Sequence, residues 1–368
     1  MIRVFGPSYR YQGEILTQPE IIYIDDHHYD EQNRCFQVAK LLENSACDPQ
    51  KHLVVIEGFG HDDALSKYKL LCIPGYTGRT CQQFIDEQIQ IDWTNKTKTF
   101  NFMINKPRLH RNFLLMLIQH FELGNYSYSL PWKKTQLNCN DLMRLTENPV
   151  YRKIILDNPT IAIPGTVDWV FGTEVVLDQG VKNGPYRNPL IYDKLLKTTV
   201  FEPSCISLIT DPIFYEKETK ISEKTVMAFY GGTIPIWVGG WRAADRLREI
   251  GFDVFDDLVD HSYQNSDDPM DRCYLAIEKN LDILRDFDRV HGFVQHNQER
   301  LQHNLNLCQS NVFFKQVSQQ IQTYDSSTQA QLKKLSDPHN ISIYSDLLGP
   351  SISATSPSII RKSVVDKG

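Results

Sequence analysis

Short apolar runs alternate with amphipathic stretches through the first half of the chain. Residues 21–24, 53–56, 69–73 and 99–104 read as strands. Residues 31–42, with Cys35, Val38 and Leu42 on one face, and residues 109–121 read as helices. Alternating βα units of this kind predict a mostly parallel sheet covered by helices. The pattern weakens between 138 and 194, where residues 161–165 and 173–177 fit strands beside long loops. Gly180, Asn183-Gly184-Pro185 and Asn188-Pro189 cluster there as turn formers and place a domain junction near 180–195.

The second half is more regular. Residues 205–210 read as a strand, and Ser222 is a good N-cap for a helix over 223–230 that Gly231-Gly232 would stop. A β-branched strand over 233–238, a helix over 241–249 and a strand over 252–255 follow. Residues 268–287 predict one long helix whose buried stripe is Met270, Tyr274, Ile277, Leu281 and Leu284, with Asp267-Asp268 at its start. After Val317 the composition shifts to Gln, Ser, Thr and Lys. The expected division is an N-terminal domain over 1–185, a C-terminal domain over 186–316 and a partly flexible extension over 317–368.

A chain of 368 residues has room for about two ordinary domains. Its net charge of −6 argues against a general nucleic-acid binder, because neutralising phosphate dominates such affinity. The 8 cysteines are scattered without a C-x-x-C pair, which points to buried thiols and away from a zinc ribbon. No charged leader followed by an apolar core opens the chain, and no 18 consecutive residues are apolar, so the expected location is cytoplasmic. Asp25-Asp26-His27-His28 has metal-ligand residue types, but neighbours on a strand point to opposite faces, so no metal site is expected.

The segment from Ile221 to Gly239 concentrates the chemistry. A capped helix start offers free amides and a positive dipole end, which favour phosphate. Lys224 adds a mobile charge for a diphosphate, and Glu223 in the same turn can accept from ribose or sugar hydroxyls. Upstream, the segment from Phe102 to Phe113 sets Asn105, Lys106, Arg108, His110 and Arg111 before an amphipathic helix, adding positive charge to an acidic protein. A guanidinium forms paired hydrogen bonds to phosphate oxygens. No G-x-G-x-x-G is present, which turns the reading away from nicotinamide enzymes.

Glu223, Lys224, Ala228, Thr233-Ile234-Pro235-Ile236, Trp237 and Gly239 together resemble the donor-binding motif of the alpha-1,3-fucosyltransferases. In place of that family's Phe-Glu-Asn this chain has Leu208-Ile209-Thr210-Asp211. Phe102 to Phe113 is similar to the family's stretch in which an arginine contacts the donor diphosphate, and Arg111 holds the matching position. Residues 223–263 also resemble uncharacterised glycosyltransferase-like proteins of marine viruses and bacteria.

The resemblance implies an α/β fold of the GT-B type, two Rossmann-like domains facing a cleft. Arg111 from one lobe and Lys224 from the other would close on one diphosphate. It implies an inverting, metal-independent glycosyltransferase that needs no cofactor beyond a nucleotide-sugar co-substrate, with GDP-fucose the best donor guess and a glycan hydroxyl as acceptor. Ser222, Glu223, Lys224, Asn105, Arg108 and Arg111 would bind donor. Glu57, after a strand and before glycines, is the favoured base, with Asp26 its rival at another strand end. Two alternatives stand beside this: a viral-type transferase acting on modified DNA bases, and a non-catalytic carbohydrate-binding protein that keeps the fold.

Overall fold

Among the described residues, two four-stranded sheets, parallel at every pairing, form the framework of the fold. The computed structural model describes residues 2–5, 21–24, 38–40, 42–43, 47–57, 65–73, 75–86, 88, 91, 95–104, 108–129, 139–159, 200–211, 217, 219 and 221–335. Its strands are β1 (Ile2–Phe5), β2 (Ile21–Ile24), β3 (Leu53–Glu57), β4 (Lys69–Ile73), β5 (Lys98–Met103), β6 (Tyr126–Ser129), β7 (Ser204–Ile209) and β8 (Ile234–Trp237). Its helices are α1 (Gly75–Asp86), α2 (Leu109–His120), α3 (Cys139–Arg144), α4 (Pro149–Asp157), α5 (Glu223–Tyr230), α6 (Ala243–Glu249), α7 (Pro269–Glu278), α8 (Leu281–Arg285), α9 (Phe287–His296), α10 (Gln298–Gln309), α11 (Val312–Ile321) and α12 (Ser326–Leu335). The α/β class and the parallel pairing expected from the βα alternation are present.

The first sheet runs β1-β2-β3-β4. Side chains alternate along β3 as a strand requires. Val54 and Ile56 pack with Val38, Ala39 and Leu42 on one face. Leu53 and Val55 join Ile21 and Leu71 on the other, against Val317, Ile321 and Leu332. The chain therefore returns from its far end to cover a face of the first sheet with α11 and α12. The extension expected from 317 onward begins inside α11, and residues 336–368 lie outside those described.

The second sheet runs β6-β5-β7-β8. From β5 the chain moves outward one way to β6, and from β7 it moves the other way to β8. Right-handed crossovers in opposite directions put their helices on opposite faces. Accordingly, α2 packs with Phe100, Phe102, Ile206 and Leu208 on one face, while α5 packs with Met103, Ile209 and Trp237 on the other. The seam between β5 and β7 is thus a topological switch point, where open α/β sheets form a crevice at the carboxyl ends of the strands.

Three expectations need correction. Strands on both sides of residue 185 share the second sheet, with Phe100 opposite Ile206, so a division at 185/186 would cut through it. The change of sheet falls between β4 and β5. Residues 252–255 form no strand, because Asn304 takes the place of a neighbouring strand. Its amide accepts from Asp253 N at 2.8 Å and donates to Asp253 O at 2.7 Å. The helix expected over 268–287 is divided into α7, α8 and the start of α9. At its first break the Asn280 amide donates to Ala276 O at 3.0 Å and Asp260 O at 3.1 Å. At the second, Asp286 caps α9 by accepting from Arg289 N at 2.9 Å.

Candidate functional site

At the carboxyl end of β7 the chain continues into Thr210 and Asp211, both buried. The first turn of α2 is fastened to this point from one side. Arg111 Nη2 donates to Thr210 O at 3.1 Å, and His110 Nε2–H donates to Asp211 O at 2.9 Å. Residues on the next βα unit approach from the opposite face. Ser222 is extended, with φ −102° and ψ 175°, and its Oγ accepts from Lys224 N at 3.3 Å. The expected N-cap is therefore in place, and the amino end of α5 lies beside Asp211 at the carboxyl end of β7.

Lys224 is buried, and its ammonium lies 2.8 Å from Glu223 Oε1. Burial alone would raise the Glu223 pKa. The Lys224 charge and hydrogen bond, helped by Arg111, overcome that and hold it below the usual carboxylate range. Glu223 is consequently an anion that accepts hydrogen bonds. The helix itself is locked to the sheet: Trp237 Nε1 donates to Thr225 Oγ1 at 3.0 Å. Under the same helix, Asn101 donates to Ser207 Oγ at 3.0 Å, and the Ser207 and Thr233 hydroxyls lie 2.6 Å apart. Thr233 Oγ1 in turn donates to Ala228 O at 3.0 Å, joining β5, β7 and α5 through buried polar groups.

The structure brings together Arg111, Ser222, Glu223 and Lys224. Arg111 acts electrostatically on Glu223, and Lys224 on His110. The expectation that Arg111 and Lys224 come from two lobes is wrong, because both project from the second sheet and flank its switch point. Arg108 is half-buried at the position preceding α2, and its charge also acts on His110. His110 was expected to add positive charge, and it does not. Burial first, then Arg111 and Arg108, holds its pKa well below the ordinary histidine value, so the imidazole is neutral and serves to donate to β7. Glu57 is the last residue of β3, opposite Ile73. Asp26 and Asn105 lie outside the described residues.

Two contributors escaped the sequence reading. Thr77, in the first turn of α1, donates to Ile221 O at 2.5 Å, so the helix that leaves the first sheet abuts the start of α5. Asp211 is 4% exposed. Neither of its carboxylate oxygens makes a hydrogen bond of good geometry among the described residues, although the Ser222 hydroxyl lies beside it. Burial pushes its pKa up to about 6, against the opposing pull of Lys224, Ser222 and Arg111. The sequence carries one signal for Asp211, an acidic residue directly after an apolar strand. Chemically, the site brings a guanidinium, an ammonium and the positive end of a helix dipole together for an anion, with two carboxylates beside them. Comparisons with protein-family models, curated proteins and solved structures gave no match to this chain.

Proposed function

We propose that this chain is a glycosyltransferase that takes a nucleoside diphosphate sugar, with the diphosphate seated at the switch point between β5 and β7. The observation that carries the reading is the approach of Arg111 and Lys224 to one strand end from opposite faces of the sheet, beside the capped start of α5. An anion entering there exchanges the Lys224–Glu223 ion pair for contacts to phosphate. Glu223 is then left to accept from sugar or ribose hydroxyls. The two parallel sheets act as the two lobes of a GT-B enzyme, and the best donor is GDP-fucose.

In the reaction, an acceptor hydroxyl oxygen bonds to the anomeric carbon as the bond from that carbon to the diphosphate oxygen breaks, inverting the centre. The hydroxyl proton passes to a carboxylate, assigned to Glu57 at the end of β3. The electron pair departs with the diphosphate, where the Arg111 guanidinium and Lys224 ammonium stabilise the added charge. Fixed charges in a buried site do this without reorganising.

A nucleotide panel tests the reading. GDP, UDP, ADP and their sugars are added to the full chain and melting is followed. One nucleotide family should raise Tm, and Arg111→Ala or Lys224→Ala should each weaken that ligand by roughly 10- to 100-fold, as expected for loss of a charge-assisted contact of about 1.5–3 kcal/mol. No stabilisation by any member, or full affinity in both variants, overturns it. Release of free sugar from the bound donor separates an enzyme from a carbohydrate-binding protein of the same fold.

A further inference from the structure

The proposed donor site contains its own obstacle. Arg111 and Lys224 are set for a diphosphate, yet the Asp211 carboxylate is buried beside them. Each element packed around it contributes a group. From α5 come the Ser222 hydroxyl, the Glu223 carboxylate and the Lys224 ammonium. From α2 comes the Arg111 guanidinium, with His110 donating to the Asp211 carbonyl and Arg108 acting on His110. The Asp211 backbone is fixed by that histidine and by Arg111 on Thr210, which holds the carboxylate's point of attachment at the end of β7. A diphosphate drawn to the same two cations must meet this negative charge. A proton taken up by the carboxylate removes that charge.

We propose that Asp211 takes up one proton from solvent as the diphosphate of a nucleotide sugar enters, so that donor binding and protonation of this carboxylate are a single event. The proposal rests on the donor site described above. It accounts for a carboxylate kept beside cations that a phosphate needs. As an ion, Asp211 screens those cations when the site is empty. As a neutral acid, it can donate a hydrogen bond to a phosphate or sugar oxygen. The direction of its shift agrees, since burial has already brought its pKa up to about 6. A nearby anion raises it further by like-charge repulsion. Glu223 is the poorer candidate, because Lys224 holds it ionised.

Calorimetric titration in buffers of differing ionisation enthalpy counts the protons. The probes are GDP-fucose, UDP-glucose and ADP-glucose, whose diphosphate diesters do not titrate near neutrality. Wild-type protein should take up close to one proton with the donor it binds, and affinity should fall by up to about tenfold per pH unit as pH rises above the Asp211 value. Asp211→Asn should bind with no uptake, with an affinity independent of pH and above wild type at pH 8. His110→Gln, which keeps a donor toward the Asp211 carbonyl, should retain the uptake. Infrared difference spectra of wild-type protein give a readout that needs no variant. A carboxylate band should be lost, and a protonated carboxyl band gained, on donor addition.

Binding without uptake, uptake that survives in Asp211→Asn, or uptake lost in His110→Gln overturns the proposal and leaves the donor site standing. Failure of every nucleotide sugar to bind removes both.

Discussion

Burial and charge pull the Asp211 carboxyl in opposite directions, and burial prevails, raising its pKa from 3.8 to about 6. Between those values the folded protein holds more protons than the unfolded chain. Stability from this group is therefore complete below the unfolded value and is lost as pH rises through about 6. At about 1.4 kcal/mol per pKa unit, the loss amounts to about 3 kcal/mol at most. Asp211→Asn should thus melt above wild type at pH 7.5, with the difference shrinking as pH falls through about 6 and closing below 3.8. Calorimetric scans across that range check the sign, and a gap that stays constant with pH would contradict it. Single residues were legible in the sequence where their role is local. Ser222 could be read as a cap because a hydroxyl before a helical run needs only its own next two residues. His110 could not be read as the donor to Asp211, because the partners are 101 positions apart and burial, with Arg111 and Arg108 beside it, strips the imidazole of its charge.

The same division between local and distant partners holds for whole elements. Strands β3, β4 and β7 and helices α2 and α5 follow closely from their apolar periodicity, since both faces of a parallel sheet are buried and their helices carry a matching stripe. Residues 252–255 have the β-branched and aromatic character of a strand. What removes them from a sheet is a side chain from α10, Asn304, fully buried and bonded to both polar backbone groups of Asp253. Arg300, one turn earlier on α10, adds paired bonds to the Asp253 carboxylate at 2.6 and 3.0 Å and lies 5.0 Å from the Phe255 ring. Hydropathy along 252–255 contains none of this. Asn304→Ala leaves an amide and a carbonyl of Asp253 without these partners and should cost about 2–4 kcal/mol. Urea unfolding followed by circular dichroism measures it. A cost below about 1 kcal/mol, the worth of one ordinary hydrogen bond, would mean that the loop holds its shape by other contacts.

At the scale of the molecule, turn-forming residues near 180–195 were a poor guide to the division of the chain. Proline and glycine clusters mark where the backbone changes direction, whereas sheet membership is settled by pairing between distant segments, as between β5 and β7. The corrected arrangement bears directly on where a base can stand. Glu57 ends β3 opposite Ile73 at the end of β4, and the chain then enters α1, where Thr77 touches Ile221 just before the cap of α5. With strands about 4.8 Å apart and a chain reach of about 3.5 Å per residue, the backbone of Glu57 lies within roughly 25 Å of the proposed donor site. Proton transfer requires the Glu57 carboxylate to come within about 3 Å of a hydroxyl that is itself in contact with the anomeric carbon next to the diphosphate, a placement inside this upper bound. If Glu57 accepts the hydroxyl proton, Glu57→Gln should lower the transfer rate by about 10²- to 10⁴-fold while the donor still raises Tm as in wild type. Losing donor binding as well would make Glu57 part of the donor site, and an unchanged rate would take the proton to another carboxylate. The split between rate and binding is the informative result, because only a group acting after the donor is seated changes one without the other.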